Sequence, residues 1–462
     1  MKKPEQRAGK ELYQHYRAMS CARLWQEEVP RYAKATERER LDQVSLLRAL
    51  GVVFAESGTE EEKRDLRAWL RDLLQDPQEK VRRYAMNALP KLGAGTEEEV
   101  ALLSVLKKSD NSREKTYLSR SLDKIGGQAT LDLIERDGVL GRHTEQKVRA
   151  ALARGESATR LRLEVPLEFS SSERLRIHLR CRKGLEIILR EEWEERLGEE
   201  RFRVLDLQPG LLALTPLRAF TLGDLYTLRC HASAGFVLGS VPQEAGVEEL
   251  AGVVVSPLSQ KLFHTFTEGP IRYRFSYIRG EPARGLVQSV VDQAFAWAPG
   301  LLNDARQAPW ALEVYPRPKG WSLELRPRWS RDPRLHYRVQ DVPAASHPPL
   351  AAAMARLAGA CHGASVWDPF CGSGLELIEC ALRGGVSRLI GTDLSGEAIE
   401  AARSNLVAAG LAGLNYALHV ADFRDVVSQG YLGPATLDVV ISNPPWGGGF
   451  ASWGCAIFTR TC

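Results

Sequence analysis

No apolar run among the 462 residues approaches the roughly 18 that a helix needs to cross a bilayer. A membrane partner is therefore not expected. The opening stretch, Met1-Lys2-Lys3-Pro4-Glu5-Gln6-Arg7, is basic but has no apolar segment behind it, so no secretory leader is expected either. The 8 cysteines are scattered, without a Cys-x-x-Cys pair or a Cys/His cluster at zinc spacing. Reduced thiols in a cytoplasmic protein, with no bound metal, are the expectation. Net charge is only +4, too little to argue for a polyanionic partner from bulk charge alone.

What is present begins with length. A chain this long exceeds one ordinary core, so two or three domains are expected. The charge is unevenly placed. Residues 1–158 carry 30 basic and 26 acidic side chains, 159–345 carry 26 and 23, and 346–462 carry 6 and 9. The positive excess thus lies outside the last segment, as suits a binding part that delivers substrate to a catalytic one.

Residues 1–158 read as helix throughout, with apolar positions such as Leu66, Leu70, Leu73 and Leu74 at helical spacing. A faint repeat appears at an offset of about 33 residues: Tyr84, Leu89, Leu92 and Gly93 align with Tyr117, Leu122, Ile125 and Gly126. Each glycine follows an apolar face, where a left-handed helix cap would sit. Asp76-Pro77 reads as the turn that opens the first unit. The segment Val81–Leu89 resembles the second helix of a HEAT-type repeat. An α-solenoid-like scaffold is the expectation, with a protein partner as its role and no chemistry of its own.

In residues 159–345 the period changes. Leu175, Ile177, Leu179 and Cys181 alternate with Arg176, His178, Arg180 and Arg182, as in a half-buried strand, and an amphipathic helix follows Gly184. Arg272 and Arg274 interleave with Tyr273, Phe275 and Tyr277, and the strand candidate Trp321–Arg326 leads into further arginines, Arg326 and Arg328 among them. This is an α+β region. Between residues 271 and 338 it carries 12 basic and 6 acidic groups. Arginine among aromatics fits RNA contact through phosphates and stacking, and equally fits a sheet with one solvated, charged face.

Residues 346–462 alternate regularly between strand and helix. Strands are expected at Val366-Trp367, Ser387–Thr392, Tyr416–Val420 and Leu437–Ser442, with helices from Leu375 and over Glu397–Ala409. Units in this order predict a parallel, doubly wound sheet. Between the first strand and its helix stands Asp368-Pro369-Phe370-Cys371-Gly372-Ser373-Gly374. Its glycines let a ligand approach the backbone near a helix N-terminus. A dinucleotide loop would want a third glycine at 377, which is Leu, and has no use for an acid before the turn. An acid there suits a cofactor with a cationic amino-acid end, and S-adenosylmethionine has an ammonium and a sulfonium. Asp393, ending the second strand, can accept two ribose hydroxyls. Asp422, after the third, can accept from an adenine amino group.

Asn443-Pro444-Pro445-Trp446 ends the fourth strand. An aryl amine is a poor nucleophile because its lone pair spreads into the ring. The Asn443 side-chain oxygen and the Pro444 carbonyl can accept its two N–H groups, and Trp446 can stack on the base. Catalysis would then rest on alignment rather than on a strong base.

The run from Tyr337-Arg338 through Leu350–Met354 into Asp368–Gly374 and Ile378-Glu379 resembles the THUMP-domain RNA guanine-N2 methyltransferases. Gly184-Leu185-Glu186 and Arg272–Arg279 resemble that family's ferredoxin-like linker and THUMP module, so that the resemblance spans about residues 165–446. It implies a class I, Rossmann-like methyltransferase fold and a tRNA or ribosomal RNA substrate presented by the THUMP part. It also implies cofactor and base-clamp roles for Asp368, Gly372, Gly374, Asp393, Asp422, Asn443 and Trp446.

Three departures stand out. Leu375 occupies the place of a usual threonine, and the helical first region is not a usual family part. After Trp446 only 16 residues remain, without strand period, where the family's sheet adds three strands. An incomplete sheet, from a truncated or frame-shifted product with impaired turnover, is the expectation. Adenine-N6 or protein-glutamine methylation also uses Asn-Pro-Pro with an aromatic. A non-catalytic RNA-binding scaffold is the reading from another class.

Overall fold

The helical spacing of the first region produces helices and, among the described residues, no strand before Arg160. The computed structural model describes residues 4–156, 159–169, 174–280, 282–343, 345–359, 363–433 and 436–444. Helices Ser45–Ser57, Glu79–Ala88, Ser112–Ile125 and Arg142–Glu156 pack in chain order, each on the next. Helices Glu60–Asp72, Thr96–Lys108 and Gln128–Asp137 alternate with them in sequence and pack as a second row. Thr59 and Glu62 form a reciprocal cap on the first of this row, satisfying two end N–H groups.

Buried carboxylates tie unit to unit. Glu114 accepts from the Arg82 guanidinium at 2.6 and 3.1 Å and from Ser109 at 2.6 Å. Glu99 accepts from the Gly127 and Thr130 N–H groups at 2.7 and 2.8 Å. The paired glycines differ in role. Gly93 has a left-handed φ of 70°, as a cap requires. Gly126 has a φ of −61°, so that expectation is corrected. A Cβ there would stand 2.6 Å from the Leu122 carbonyl and 2.7 Å from Val148, so close packing is what asks for glycine.

The middle region forms one eight-stranded sheet. Its strands are β2 (Arg176–Arg180), β3 (Phe202–Gln208), β4 (Leu211–Pro216), β5 (Ser233–Val241), β7 (Ile271–Tyr277), β8 (Leu301–Asn303), β9 (Trp310–Arg317) and β10 (Gly320–Pro327). Two short strands, β1 (Arg160–Leu161) and β6 (Thr267–Glu268), pair apart from it. The order β3-β4-β2-β5-β10-β9-β7-β8 joins two four-stranded halves at the antiparallel β5–β10 seam. Strand alternation splits the faces. Ile177, Leu179, Phe236, Leu312, Val314, Leu323 and Leu325 point into one core shared with the helices. On the other face Glu324 takes His178 at 2.8 Å and Arg180 at 2.6 Å, and Glu313 binds Arg326.

The last region supplies four parallel strands: β11 (Ala364–Asp368), β12 (Val386–Asp393), β13 (Asn415–Val420) and β14 (Val439–Val440). Their order is β13-β12-β11-β14, with helices Leu375–Arg383 and Gly396–Ala408 as crossovers. The fourth strand is shorter than the Leu437–Ser442 expected, pairing with β11 only at Val439 and Val440. This core already includes Tyr337, earlier than residue 346. Pro445, Trp446 and the residues after them lie outside the described ones. Among the described residues no helix is long and apolar enough to cross a membrane.

The regions are joined by specific contacts. Ala150 and Ala153 of the last stacked helix meet Phe295 and Leu302. Arg229 grips Glu379 through two N–H···O bonds, and Tyr337 donates to the same carboxylate at 2.6 Å.

Candidate active site

Parallel strands leave their functional ends together, in the crevice outside the carboxyl edge of the sheet. Asp368 ends β11, Asp393 ends the neighbouring β12, and Asp422 follows β13. The three predicted acids therefore fan along one edge. Asn443 and Pro444 follow β14, which pairs with β11 on its other side. The structure thus sets Asn443 across the first strand from Asp393 and Asp422.

The loop after β11 is tightly held. Asp368 Oδ1 accepts from the Phe370 N–H at 3.0 Å, and Asp393 Oδ2 accepts from the Gly372 N–H at 3.0 Å. Gly374 has a φ of 81°, and a Cβ there would lie 3.1 Å from the Ala402 Cβ. Glycine is thus needed both for the turn and for helix packing. Asp393 Oδ1 accepts from the Ser395 N–H at 2.9 Å, opening the next helix. The second acid therefore braces the glycine turn as well as facing the crevice.

Asp368 is fully buried; the Ser442 hydroxyl bears on its carboxylate and favours the ionised form, but its Oδ2 takes no hydrogen bond of ordinary length among the described residues. The Ser373 hydroxyl is in the same condition. Burial first, then the Glu376 carboxylate, push the Asp368 carboxyl well above the usual range, with Asp393 adding to the push. A buried acid with one empty oxygen fits a cationic group, which would return it to the ionised form. Asp422 differs. Arg424 pairs with it and lowers it to about 2, so it stays ionised at the surface. The Phe370 and Phe423 rings lie 5.0 Å apart beside it, an apolar wall fit for a flat ring.

Two residues that sequence reasoning missed stand at the clamp. Asn443 Nδ2 donates to the Ser346 hydroxyl at 2.9 Å, and Ser346 in turn donates to the buried Glu376. This chain orients the amide of Asn443. Ser346 is 97 residues away in sequence and carries no motif of its own. Glu376, an acid in the first turn of a helix, was the one available signal.

The predicted RNA-contacting arginines divide. Arg274 on β7 and Arg326 on β10 flank Ala311 of β9 in one row across the sheet. Burial first, then Arg274 and Arg326 close by, lower the Arg328 guanidinium from its ordinary value, and it remains charged. Arg326 and Arg328 line a cleft of about 240 Å³ with Tyr226 and Trp329. Arg272 is instead 5% exposed and paired with Asp304 at 3.0 Å, an interior ion pair rather than a surface group. Of the four arginines, Arg272 is thus spent on the interior, and Arg326 reaches the cleft while paired with Glu313 of the neighbouring strand.

The last region is similar to known proteins. Residues 335–453 match the UPF0020 family, described as "RMKL-like, methyltransferase domain". The chain carries a methyltransferase domain. A tRNA (guanine(10)-N2)-dimethyltransferase of Methanothermobacter thermautotrophicus is 32% identical over 114 residues, 25% of this chain. The match spans 31% of that relative's length. Among solved structures, TrmN from Thermus thermophilus is 20% identical with a TM-score of 0.47, covering 59% of this chain and 80% of that one. A predicted N6-adenine-specific DNA methylase from Listeria monocytogenes is 20% identical with a TM-score of 0.45, covering 60% and 81%. The matched family segment contains Asp368, Asp393, Asp422 and Asn443, so the methyltransferase domain and the acid-lined crevice coincide.

Proposed function

We propose that this chain is an S-adenosylmethionine-dependent RNA methyltransferase acting on an exocyclic base amine, guanine N2 of tRNA or ribosomal RNA. The observation that carries the reading is the buried, half-partnered carboxylate of Asp368 one strand away from the braced amide of Asn443. Asp368 and the turn through Gly372, Ser373 and Gly374 would hold the methionine end of the cofactor. Asp393 would take the ribose, and Asp422 with Phe370 and Phe423 the adenine. The cofactor, when bound, supplies an electrophilic methyl group on sulfur.

The chain's own part is orientation. Ser346 fixes the Asn443 amide, and that amide with the Pro444 carbonyl accepts the base's N–H groups, directing the amine lone pair at the methyl carbon. Pro445 and Trp446, which the sequence motif adds to the clamp with Trp446 to stack on the base, lie outside the described residues. Arg274, Arg326 and Arg328 would contact RNA phosphates. On this reading residues 1–158 are an α-solenoid-like scaffold, 159–345 a ferredoxin-like and THUMP-like RNA-binding region, and 346–462 a class I methyltransferase domain. The site of action is cytoplasmic RNA, and the guanine-N2 choice accords with the named activity of the Methanothermobacter relative.

The test is transfer of a labelled methyl group to unmodified tRNA, ribosomal RNA, DNA and release factor, assayed separately. Label in 2-methylguanosine from RNA alone supports the proposal. Label in adenine or in protein glutamine overturns the substrate, and the lack of saturable S-adenosylmethionine binding overturns the enzyme.

A further inference from the structure

The helical region is nearly neutral as a whole, yet its charge is segregated. A groove of about 450 Å³ on the stack is lined by Arg48, Lys80, Arg83, Lys91, Arg113 and Lys124, and by no carboxylate. Two of these pairs obey the repeat. Lys80 and Arg113, and likewise Lys91 and Lys124, stand 33 residues apart, the offset that relates Tyr84 to Tyr117. Successive stacked helices therefore present the same cations at the same height. Packed helices sit about 8–10 Å apart, so the charges form a line rather than a point.

Among the described residues all but one of these cations lack a partner of opposite sign; Lys80 donates to the Leu41 carbonyl and Arg48 lies over the Tyr13 ring, both neutral. Arg83 pairs with Glu79 at 2.9 Å. Among the described residues Arg48, Lys80, Lys91, Arg113 and Lys124 form no ion pair. Burial first, then Arg48, Lys124 and Arg17, push the Lys91 ammonium below the ordinary lysine value. Uncompensated like charge costs folding stability, so its presence in register is explained by an anionic ligand. Of the two tyrosines lining the groove, Tyr84 and Tyr117, the second already has its ring covered. The Arg83 and Arg120 guanidinium carbons lie 5.0 and 5.7 Å from the Tyr117 ring centre. Base stacking on Tyr117 is thereby blocked, and six cations beside one remaining tyrosine ring favour phosphate recognition.

We propose that this groove binds the sugar–phosphate backbone of RNA, without base readout, as a second contact remote from the methyl-transfer site. A linear polyanion matches a linear cation array better than a globular acidic protein does. The groove is not free to drift, because the last stacked helix docks on the middle region. Gln146 donates to the Val291 carbonyl at 3.2 Å, and Arg154 pairs with Asp304 at 2.9 Å. The RNA as substrate rests on the function proposed above; the groove does not require turnover.

The experiment measures binding of a fluorescent, unmodified tRNA transcript to the full chain without cofactor, across a salt series. The variant Lys91→Glu/Arg113→Glu/Lys124→Glu is expected to bind at least about tenfold more weakly and to lower the salt slope by about two to three. Lys107→Glu/Lys108→Glu/Lys115→Glu, the same charge change elsewhere on the stack, is expected to change binding less than about threefold. Helix content by circular dichroism confirms that both fold. Bound tRNA should also protect Lys80, Lys91 and Lys124 from acetylation. Equal losses in the two variants, no protection, or stronger protection by poly-glutamate than by tRNA would each overturn the groove. Failure of the unaltered chain to bind tRNA at all would instead strike the RNA reading itself.

Discussion

Arg229 meets Glu379 with two parallel N–H···O bonds of 2.6 and 2.8 Å, joining the middle region to the first crossover helix of the methyltransferase domain. Glu379 is 2% exposed, and burial beside Arg229 and Tyr337 leaves the pair little water. The Tyr337 phenol is pushed up strongly, by burial first and then by Glu379.

Removing one partner of such a pair strands the other. Arg229→Ala is expected to cost about 3–5 kcal/mol locally, whereas Arg229→Met/Glu379→Leu should recover much of that loss. Hydrogen exchange of helix Leu375–Arg383 is the measurement, with the single variant losing protection and the double variant regaining it.

Cofactor binding should depend on pH with a definite sign. Folding raises the Asp368 and Glu376 carboxyls, so each binds its proton more tightly in the folded chain than in the unfolded one. The ligand-free domain therefore loses stability as pH rises from the ordinary carboxylate range through the raised values. A cationic ligand beside Asp368 reverses the preference. S-adenosylmethionine should bind more tightly as pH rises through that window, with proton release seen calorimetrically in buffers of different ionisation enthalpy. Asp368→Asn should abolish both the release and the binding.

Ser346 links Asn443 to Glu376 and, on the proposed function, acts through Asn443. Ser346→Ala removes two hydrogen bonds, from Asn443 and to Glu376, the one to Asn443 worth about 1 kcal/mol, and should lower kcat about fivefold while leaving the cofactor Kd unchanged. Asn443→Ala should lower kcat about a hundredfold or more. An equal fall in cofactor affinity for Ser346→Ala would mean that the hydroxyl serves the loop instead.

Gly374→Ala forces a side chain into a left-handed turn and against Ala402. A cost of about 1–3 kcal/mol is expected. It should appear as a lowered unfolding midpoint of the methyltransferase domain, with the helical stack unaffected.

The strand–helix order of the last region and its acid-bearing turn were legible because both are local patterns. Asp368, Gly372 and Gly374 lie within seven consecutive residues, and Asp393 closes the next strand. Ser346 and Glu376 were not legible, since only the fold brings Ser346 beside Asn443. Gly126 shows a different limit. Its place after an apolar face looks the same whether the need is a positive φ or a close neighbour, and only Val148 decides. Arg272 was misjudged for a related reason. Strand alternation places a side chain on a face but does not reveal that Asp304 waits there.

The unbroken ladder from β3 through the β5–β10 seam to β8 has a mechanical consequence. The two halves of the sheet cannot swing apart without rupturing main-chain bonds, so they behave as one stiff plate. Reach between a gripped RNA and Asn443 is then a fixed length, set by architecture. On the proposed function, which nucleotide meets the methyl donor is decided by measurement along the RNA, and adjustment must come from bending of the RNA or from yielding at Arg229.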